Sequence, residues 1–365
     1  MRRLYLHVGV HRTGTTSIQR FLRANFDVLL QKGYLFPFGV ARHNQVVSRM
    51  RDGAMDVTEF AEDLLRRVES RGDGRTSVIL SDEDMSNIED FSIFSPLKKI
   101  FDVKVVVSLR RQDLWLESWF FQNLKWQWNP SLSHLTFAEF FARRREFHWI
   151  DYAARLAHYE AVFGPGSVIA GVFEKADMPE GPIDAFLRMV GISDMAGFGP
   201  MLHSNSSMSP LMTEFIRQLP LDAMAGPDRR LFEKACGEVD AKLVKEDAKL
   251  IMPYDQRLVV QADYAAGNRL VAQKYLGRDE LFHDPLPGPQ DAVATMALPD
   301  KSADLMRDFV APMVHALAAQ MAEARSEEAA KAQHPLPGPG QRGPGQRRPG
   351  LKGQGPKNDR VRPRT

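Results

Sequence analysis

Apolar and polar positions along the chain follow two rhythms. Nearly continuous apolar runs rich in Val and Ile occur at LYLHVGV (4–10), TSVILS (76–81), VKVVVSL (103–109) and SVIAGVF (167–173). A run with no polar alternation buries both faces of its strand, the pattern of a parallel sheet covered by helices on both sides. Between these runs apolar residues recur every three or four positions. After the first run, Ile18, Phe21, Leu22, Leu29 and Leu30 share one helical face, which predicts a single helix closed by Gly33. Further helices are expected over about 57–70, 113–126, 136–145, 151–162 and 180–190, and beyond about 207 the pattern reads as wholly helical. The fold class expected is α/β, with a central parallel sheet flanked by helices and a helical C-terminal extension. The boundaries expected are an α/β domain over 1–220, a helical region over 221–332 packed on it, and a tail over 333–365.

Composition narrows this picture. A chain of 365 residues, 44% hydrophobic and 26% charged, can bury a substantial core. It holds no run of about 18 or more apolar residues and no signal-like h-region, so a cytoplasmic protein without a transmembrane segment is expected. The single cysteine, Cys236, excludes an intrachain disulfide and a cysteine-built metal site; it is expected to pack on a helix, and no metal is expected. The near-neutral total hides an asymmetry. Eight Lys and Arg against Asp359 give residues 335–365 a net charge of +7 and leave the rest at −5. That tail is rich in Pro, Gly and Gln and is expected to be disordered. It lacks interleaved aromatics, so no specific nucleic-acid partner is expected.

The first run opens into HRTGTTS (11–17). A strand that ends in a tight turn and starts a helix aims backbone N–H groups and the helix dipole at one point, which suits an anion. Gly14 can adopt a positive φ and let the backbone approach oxygens; Thr15, Thr16 and Ser17 add hydroxyls, and Arg12 adds positive charge. Gly9 and Gly14 have the spacing of a nucleoside-triphosphate loop, but Thr15 stands where that loop carries its lysine. A second constellation lies in VVVSLRRQDLWLESWFFQ (105–122). Arg110 ends a buried strand, Asp113 is a plausible N-cap, and Ser118 follows about a turn and a half into the helix. Both Arg110 and Ser118 can face the carboxyl edge of the sheet and clamp a second phosphate.

Together these segments resemble the sulfotransferase family, whose fold is P-loop-like and whose donor is 3′-phosphoadenosine 5′-phosphosulfate. HRTGTTS resembles the 5′-phosphosulfate loop, and RRQDLWLES resembles the 3′-phosphate motif, with Arg110 and Ser118 at its spacing. The stretch from Asp151 to Ile192, with Phe173 and Glu174, resembles the family's segment of helix, Phe-Gly turn, strand and aromatic-Glu pair, so the resemblance covers about residues 3–220. It implies that Arg12, Thr13, Gly14, Thr15, Thr16, Ser17, Arg110 and Ser118 bind the donor. Many members carry a lysine where Arg12 stands; an arginine stabilises the leaving oxygen electrostatically but does not readily donate a proton.

Transfer also needs a base for the acceptor's proton. Glu83, in VILSDEDMSN, is the first candidate, since family members have a Ser-x-Glu or a histidine at this strand end; capping of the next helix by Glu83 or Asp82 is the plainer reading. His43 is the second candidate. His11 can bind the departing group or bond locally. Trp115, Trp119, Trp126, Trp128 and Trp149 form either a platform for sugar rings or apolar acceptors, or the packing between two helices. Lys125 and Arg143–Arg145 are either a solvated face or a contact for an anionic glycan. The acceptor class stays open among saccharide, lipid and small metabolite, as does the oligomeric state. Rival readings are a non-catalytic nucleotide- or glycan-binding protein of the same fold and a P-loop kinase, the latter lacking both its lysine and a placed Mg²⁺ aspartate.

Overall fold

The computed structural model describes residues 1–71, 76–200, 208–243 and 248–333; the tail expected beyond 333 lies outside them. Among the described residues the chain forms an α/β fold around five parallel strands: β1 (Arg2–His7), β2 (Tyr34–Leu35), β3 (Ser77–Ser81), β4 (Phe101–Leu109) and β5 (Val168–Val172), in the order β2-β3-β1-β4-β5. Helices flank the sheet: α1 (Thr15–Ala24), α2 (Phe26–Gln31), α3 (Asn44–Arg51), α4 (Val57–Arg71), α5 (Gln112–Trp126), α6 (Pro130–Ser133), α7 (Phe137–Ala142), α8 (Tyr152–Phe163) and α9 (Pro182–Met189). Then follow α10 (Pro210–Arg217), α11 (Gly226–Asp240), α12 (Tyr254–Val271), α13 (Ser302–Leu305) and α14 (Ala311–Gln333). No helix among the described residues is long and apolar enough to cross a membrane.

The apolar runs are continuous because each strand feeds two cores. Leu4, Leu6, Val78, Leu80, Val105 and Val107 face α4, α5 and α8, whereas Tyr5, Ile79 and Val106 face Ile18, Phe21 and Leu22 of α1 and Ile183, Phe186 and Leu187 of α9. Each such side chain contributes about 1.5–3 kcal/mol on leaving water, so neither face tolerates a polar alternation. Register aligns His7 with Ser81 on one side and Val106 on the other, which brings the ends of β1, β3 and β4 to one edge.

Two expected elements differ. The helix expected to run to Gly33 breaks at Asn25, whose Nδ2 donates to the Phe21 carbonyl while its Oδ1 accepts from the Gly199 N–H at 2.7 Å. A side chain that competes for backbone partners ends a helix from within. The region beyond 207 is not wholly helical either, since residues 278–300 form no helix. That stretch is held by side chains. Arg278 pairs with Asp177, Arg111 donates to the carbonyls of Asp284 and Pro285, and Glu174 accepts from the His283 N–H.

The helical region past 220 divides. Helix α12 enters the main core through Val260 and Val271, while α10, α11 and α14 share a separate apolar cluster that includes Cys236. Cys236 is fully buried, and burial first, then the neighbouring carboxylates, push its thiol up to about 12.

Candidate functional site

The turn after β1 bends on three positive φ angles within six residues: Gly9 (40°), Arg12 (72°) and Gly14 (79°). A Cβ on Gly14 would stand 2.9 Å from two atoms of Pro182, so glycine is required there for space as well as for φ. Arg12 has no such excuse, and a left-handed arginine is held by its neighbours. Its carbonyl accepts from Arg110 Nη1 at 2.9 Å, its Nε donates to Ser118 Oγ at 2.6 Å, and its Nη1 donates to Gln122 Oε1 at 3.1 Å. The adjacent His11 carbonyl accepts from Trp115 Nε1 at 2.8 Å. Helix α5 thus shapes the turn from across the sheet edge.

Gly14 is the N-cap of α1 and has no side chain to satisfy the helix's first amides. Among the sequence-selected hydroxyls, Thr13 is buried and spends its own donor on the Val10 carbonyl at 2.6 Å, which closes the turn. Thr15 is buried and folds back over Gly9; Thr16 is exposed and Ser17 half-buried at the mouth of the helix.

Arg12 and Arg110 come from adjacent strands, and the chain leaves β1 toward β2 on one side and β4 toward β5 on the other. They meet at the topological switch point, where ligands of open α/β sheets bind. Both are half-buried, and among the described residues neither has a carboxylate partner. Burial first, then the charge of Arg12, lowers the Arg110 guanidinium to about 10, and burial lowers Arg12 as well. The Arg110 guanidinium lies over the Phe173 ring, 5.7 Å from its centroid, and the Arg110 backbone is fixed at both N–H and carbonyl by the Tyr152 hydroxyl. Ser118 and Arg110, the two residues expected to clamp a second phosphate, are each bonded to Arg12, Ser118 at its Nε and Arg110 at its carbonyl.

Asp113 is not the cap of α5. It lies inside the first turn, fully buried, where it accepts from Arg111 Nε and Arg257 Nη1 at 2.7 and 2.6 Å. Arg257 of α12 also donates to Glu117, whose Oε1 accepts from the Ile251 and Met252 N–H groups.

At the end of β3 the cation balance reverses. Arg42 alone faces Asp82, Glu83 and Asp84 at 2.6, 3.4 and 2.5 Å. Asp82 caps the following turn by accepting from the Asp84 N–H. Its carboxyl is raised to about 6, chiefly by burial and despite Arg42. Burial would raise Asp84 too, but its contacts with His11 and Arg42 outweigh that and hold it at about 2. Glu83 is buried, and its Oε2 accepts from Gln19 Nε2 at 2.5 Å; Gln19 lies one helical turn after Thr15, which sets Glu83 beside the start of α1.

His43 is placed otherwise than a base requires. The Ser81 N–H donates to its Nδ1 at 2.9 Å and its Nε2 donates to the Pro37 carbonyl at 3.0 Å, leaving no nitrogen for a substrate. Burial also lowers its imidazolium to about 4, so the ring is a neutral tie between two loops. His11 is buried against Trp119, and its Nε2 lies 3.3 Å from Asp84 Oδ1 and 3.1 Å from Asn87 Nδ2.

His11, Asp84 and Asn87 also line a cleft of about 810 Å³ beside the turn, with Arg42, Trp119 and Trp128 among its walls. The tryptophans therefore divide. Trp115, Trp119 and Trp149 pack together, whereas Trp126 stacks under Trp128, which is 59% exposed. In the basic stretch Arg143–Arg145, Arg143 pairs with Glu146 while Arg144 and Arg145 share Asp263, and Lys125 lies 3.6 Å from Glu233. Sequence reasoning gave no role to Gln19, Arg42, Gln122 or Arg257, of which only Gln122 lies within a stretch singled out in the sequence. Among the described residues no group of three or more His, Cys, Asp or Glu is arranged to hold a metal.

No protein-family model matches the chain. An uncharacterized protein of Archaeoglobus fulgidus is 25% identical over 198 residues, which are 54% of this chain and 52% of that protein. The chain thus spans about half the length of this curated relative. Among solved structures, a sulfotransferase from Alicyclobacillus acidocaldarius aligns over 76% of this chain and 96% of its own, with 15% identity and a TM-score of 0.40.

Proposed function

We propose that the protein is a sulfotransferase that moves a sulfuryl group from 3′-phosphoadenosine 5′-phosphosulfate to a hydroxyl or amine of an acceptor. The observation that carries this reading is the pair of guanidiniums, Arg12 and Arg110, set at the switch point without a carboxylate and beside a helix N-terminus without a side-chain cap. Unpaired, desolvated cations are costly unless an anion completes them. Two guanidiniums, a row of amides and the Ser118 hydroxyl fit a donor with two separate anionic groups.

The donor supplies an activated sulfuryl group, which forms a bond to the acceptor oxygen or nitrogen as its bond to the bridging phosphate oxygen breaks. In this assignment the turn from Thr13 to Ser17 holds the 5′ end through its amides and hydroxyls. Arg12 stabilises charge developing on the leaving phosphate and stays protonated throughout. Arg110 and Ser118 hold the 3′-phosphate. Glu83, held beside α1 by Gln19, takes the acceptor's proton.

Titration calorimetry tests the donor site. Adenosine 3′,5′-bisphosphate is expected to bind without Mg²⁺ and more tightly than ATP with Mg²⁺. Arg110→Ala is expected to cost about 1.5–3 kcal/mol with the bisphosphate, and much less with a 3′-dephospho analogue. Equal losses with both ligands would remove Arg110 from the 3′-phosphate, and preference for ATP with Mg²⁺ would favour a kinase. With an acceptor in hand, Glu83→Gln should lower kcat by about 10²–10⁴ while bisphosphate affinity holds; bisphosphate binding with transfer to no acceptor would indicate a binding protein.

A further inference from the structure

The cleft begins where the anion turn ends, because His11, which precedes Arg12, forms part of its wall. Its chemistry is unlike that of the turn. Three carboxylates, Asp84, Glu89 and Asp90, line it together with two guanidiniums, and neither guanidinium is free. Arg42 is divided among Asp82, Glu83 and Asp84, and Arg51 is bonded through Nε and Nη2 to Asp52. A polyanionic acceptor would meet carboxylates without an unpaired cation to offset them.

The wall does offer hydrogen bonds and an aromatic face. Trp119 lines the cleft and is 9% exposed, and among the described residues its buried indole N–H has no partner. The Asn123 amide lies beside it, with Nδ2 donating to the Trp119 carbonyl at 2.8 Å. Trp128 presents a ring to solvent, kept rigid by stacking on Trp126 at 5.1 Å between centroids and 20° between planes. A flat, preorganised indole face with carboxylate and amide acceptors around it suits a ring that is apolar on its faces and rich in hydroxyls at its edge. The volume, about 810 Å³, is within the usual range of roughly 300–1,000 Å³ for small-molecule sites.

Resting on the donor-site reading above, we propose that the acceptor is an uncharged or cationic polyhydroxyl ring compound, a neutral or amino sugar, seated on Trp128 and bonded to the cleft carboxylates, and that uronate-bearing or sulfated sugars are rejected. The cleft selects by the sign of charge as well as by shape. The turn binds the anionic partner and the cleft the non-anionic one, so the two substrates do not compete for a single site.

Two measurements on the full chain separate the cleft from the donor site. In the first, tryptophan fluorescence is titrated with maltotetraose, a chitosan oligomer and an oligogalacturonide, with no donor present. The neutral or amino sugar should perturb the emission at a concentration at least ten-fold lower than the oligogalacturonide, and Trp128→Ala should weaken that response about ten-fold without changing affinity for adenosine 3′,5′-bisphosphate. In the second, transfer from radiolabelled donor is followed to the same three sugars. The Glu89→Lys, Asp90→Lys double variant should narrow the preference against the oligogalacturonide. A response to the oligogalacturonide at the lowest concentration, or to none of the three, overturns the cleft assignment whatever the donor does. Sugar binding without bisphosphate binding upholds the cleft and overturns the donor reading instead.

Discussion

Arg257, bonded to two acids of α5, and Arg110, two residues before that helix begins, are two arginines that are paired in opposite ways. Arg257 is 1% exposed and lies between Asp113 and Glu117, with both its terminal nitrogens bonded to carboxylates. Arg110 is half-buried, has a carbonyl and an aromatic face for company, and is depressed to about 10. Arg42 is a third case, one cation shared by three carboxylates. A balanced cation serves the fold. In the proposed reading an under-paired one holds a place for an anion, and an over-paired one leaves carboxylates available as proton acceptors. Pairing, more than residue type or burial, separates the structural charges from those open to a ligand.

The sharpest way to break this comparison is Arg257→Met. It leaves the buried Glu117 without its cation and Asp113 with Arg111 alone, and should cost about 3–5 kcal/mol of stability by urea unfolding. Adding Asp113→Asn and Glu117→Gln to the same chain should recover part of that loss, and no recovery would mean that Arg257 acts by packing alone. Arg110→Met should behave oppositely, with unfolding stability kept within about 1 kcal/mol although ligand affinity falls. Saturating wild type with adenosine 3′,5′-bisphosphate at about 100 times its Kd should add about 2.7 kcal/mol of stability, and Arg110→Met at the same ligand concentration should gain much less.

Asp82 gives a pH test of the over-paired cluster. Its folded value, about 6, lies above the ordinary carboxyl value of 3.8, so the folded state binds its proton more tightly. The resulting stability is fully present below about pH 4 and is lost as pH rises through about 6. Asp82→Asn should therefore flatten the fall in stability between about pH 4 and 6; an unchanged slope would mean that Asp82 is ionised throughout. The smallest effect concerns backbone strain. Arg12→Gly should be more stable than Arg12→Ala by about 1 kcal/mol, because only glycine relieves a left-handed φ, and equal stabilities would show that the turn relaxes when the side chain is cut.

Four strands and most of the first nine helices were legible because each is encoded by a local period. The pair Tyr34–Leu35 was not, since two residues carry no period and their strand exists only through pairing with Ser77 and Val78. Asn25 ends α1 through Gly199, a partner 174 residues away that no local pattern announces. The turn HRTGTTS and the Arg110–Ser118 spacing were read as a proposal of anion chemistry, and the structure sets Arg110 and Ser118 each within a hydrogen bond of Arg12. What could not be read was how their charges are shared. Asp113 is a capping residue by position, yet Arg257 claims it from 144 positions downstream. His43 passes for a base until Pro37 and Ser81 occupy both its nitrogens.

Helix α5 has a further consequence, for how this chain can be divided. One of its faces steadies the turn through Trp115 and Ser118, and another receives Arg257, Ile251 and Met252 through Asp113 and Glu117. A fragment ending near Asp240 would contain the whole turn after β1 and still take Arg257 and the Ile251 and Met252 amides from Glu117 and leave Asp113 to Arg111, against the helix that shapes the turn. The C-terminal stretch is therefore not a detachable appendage, and a recombinant or natural chain that sheds it must first replace Arg257's charge or dispense with Glu117.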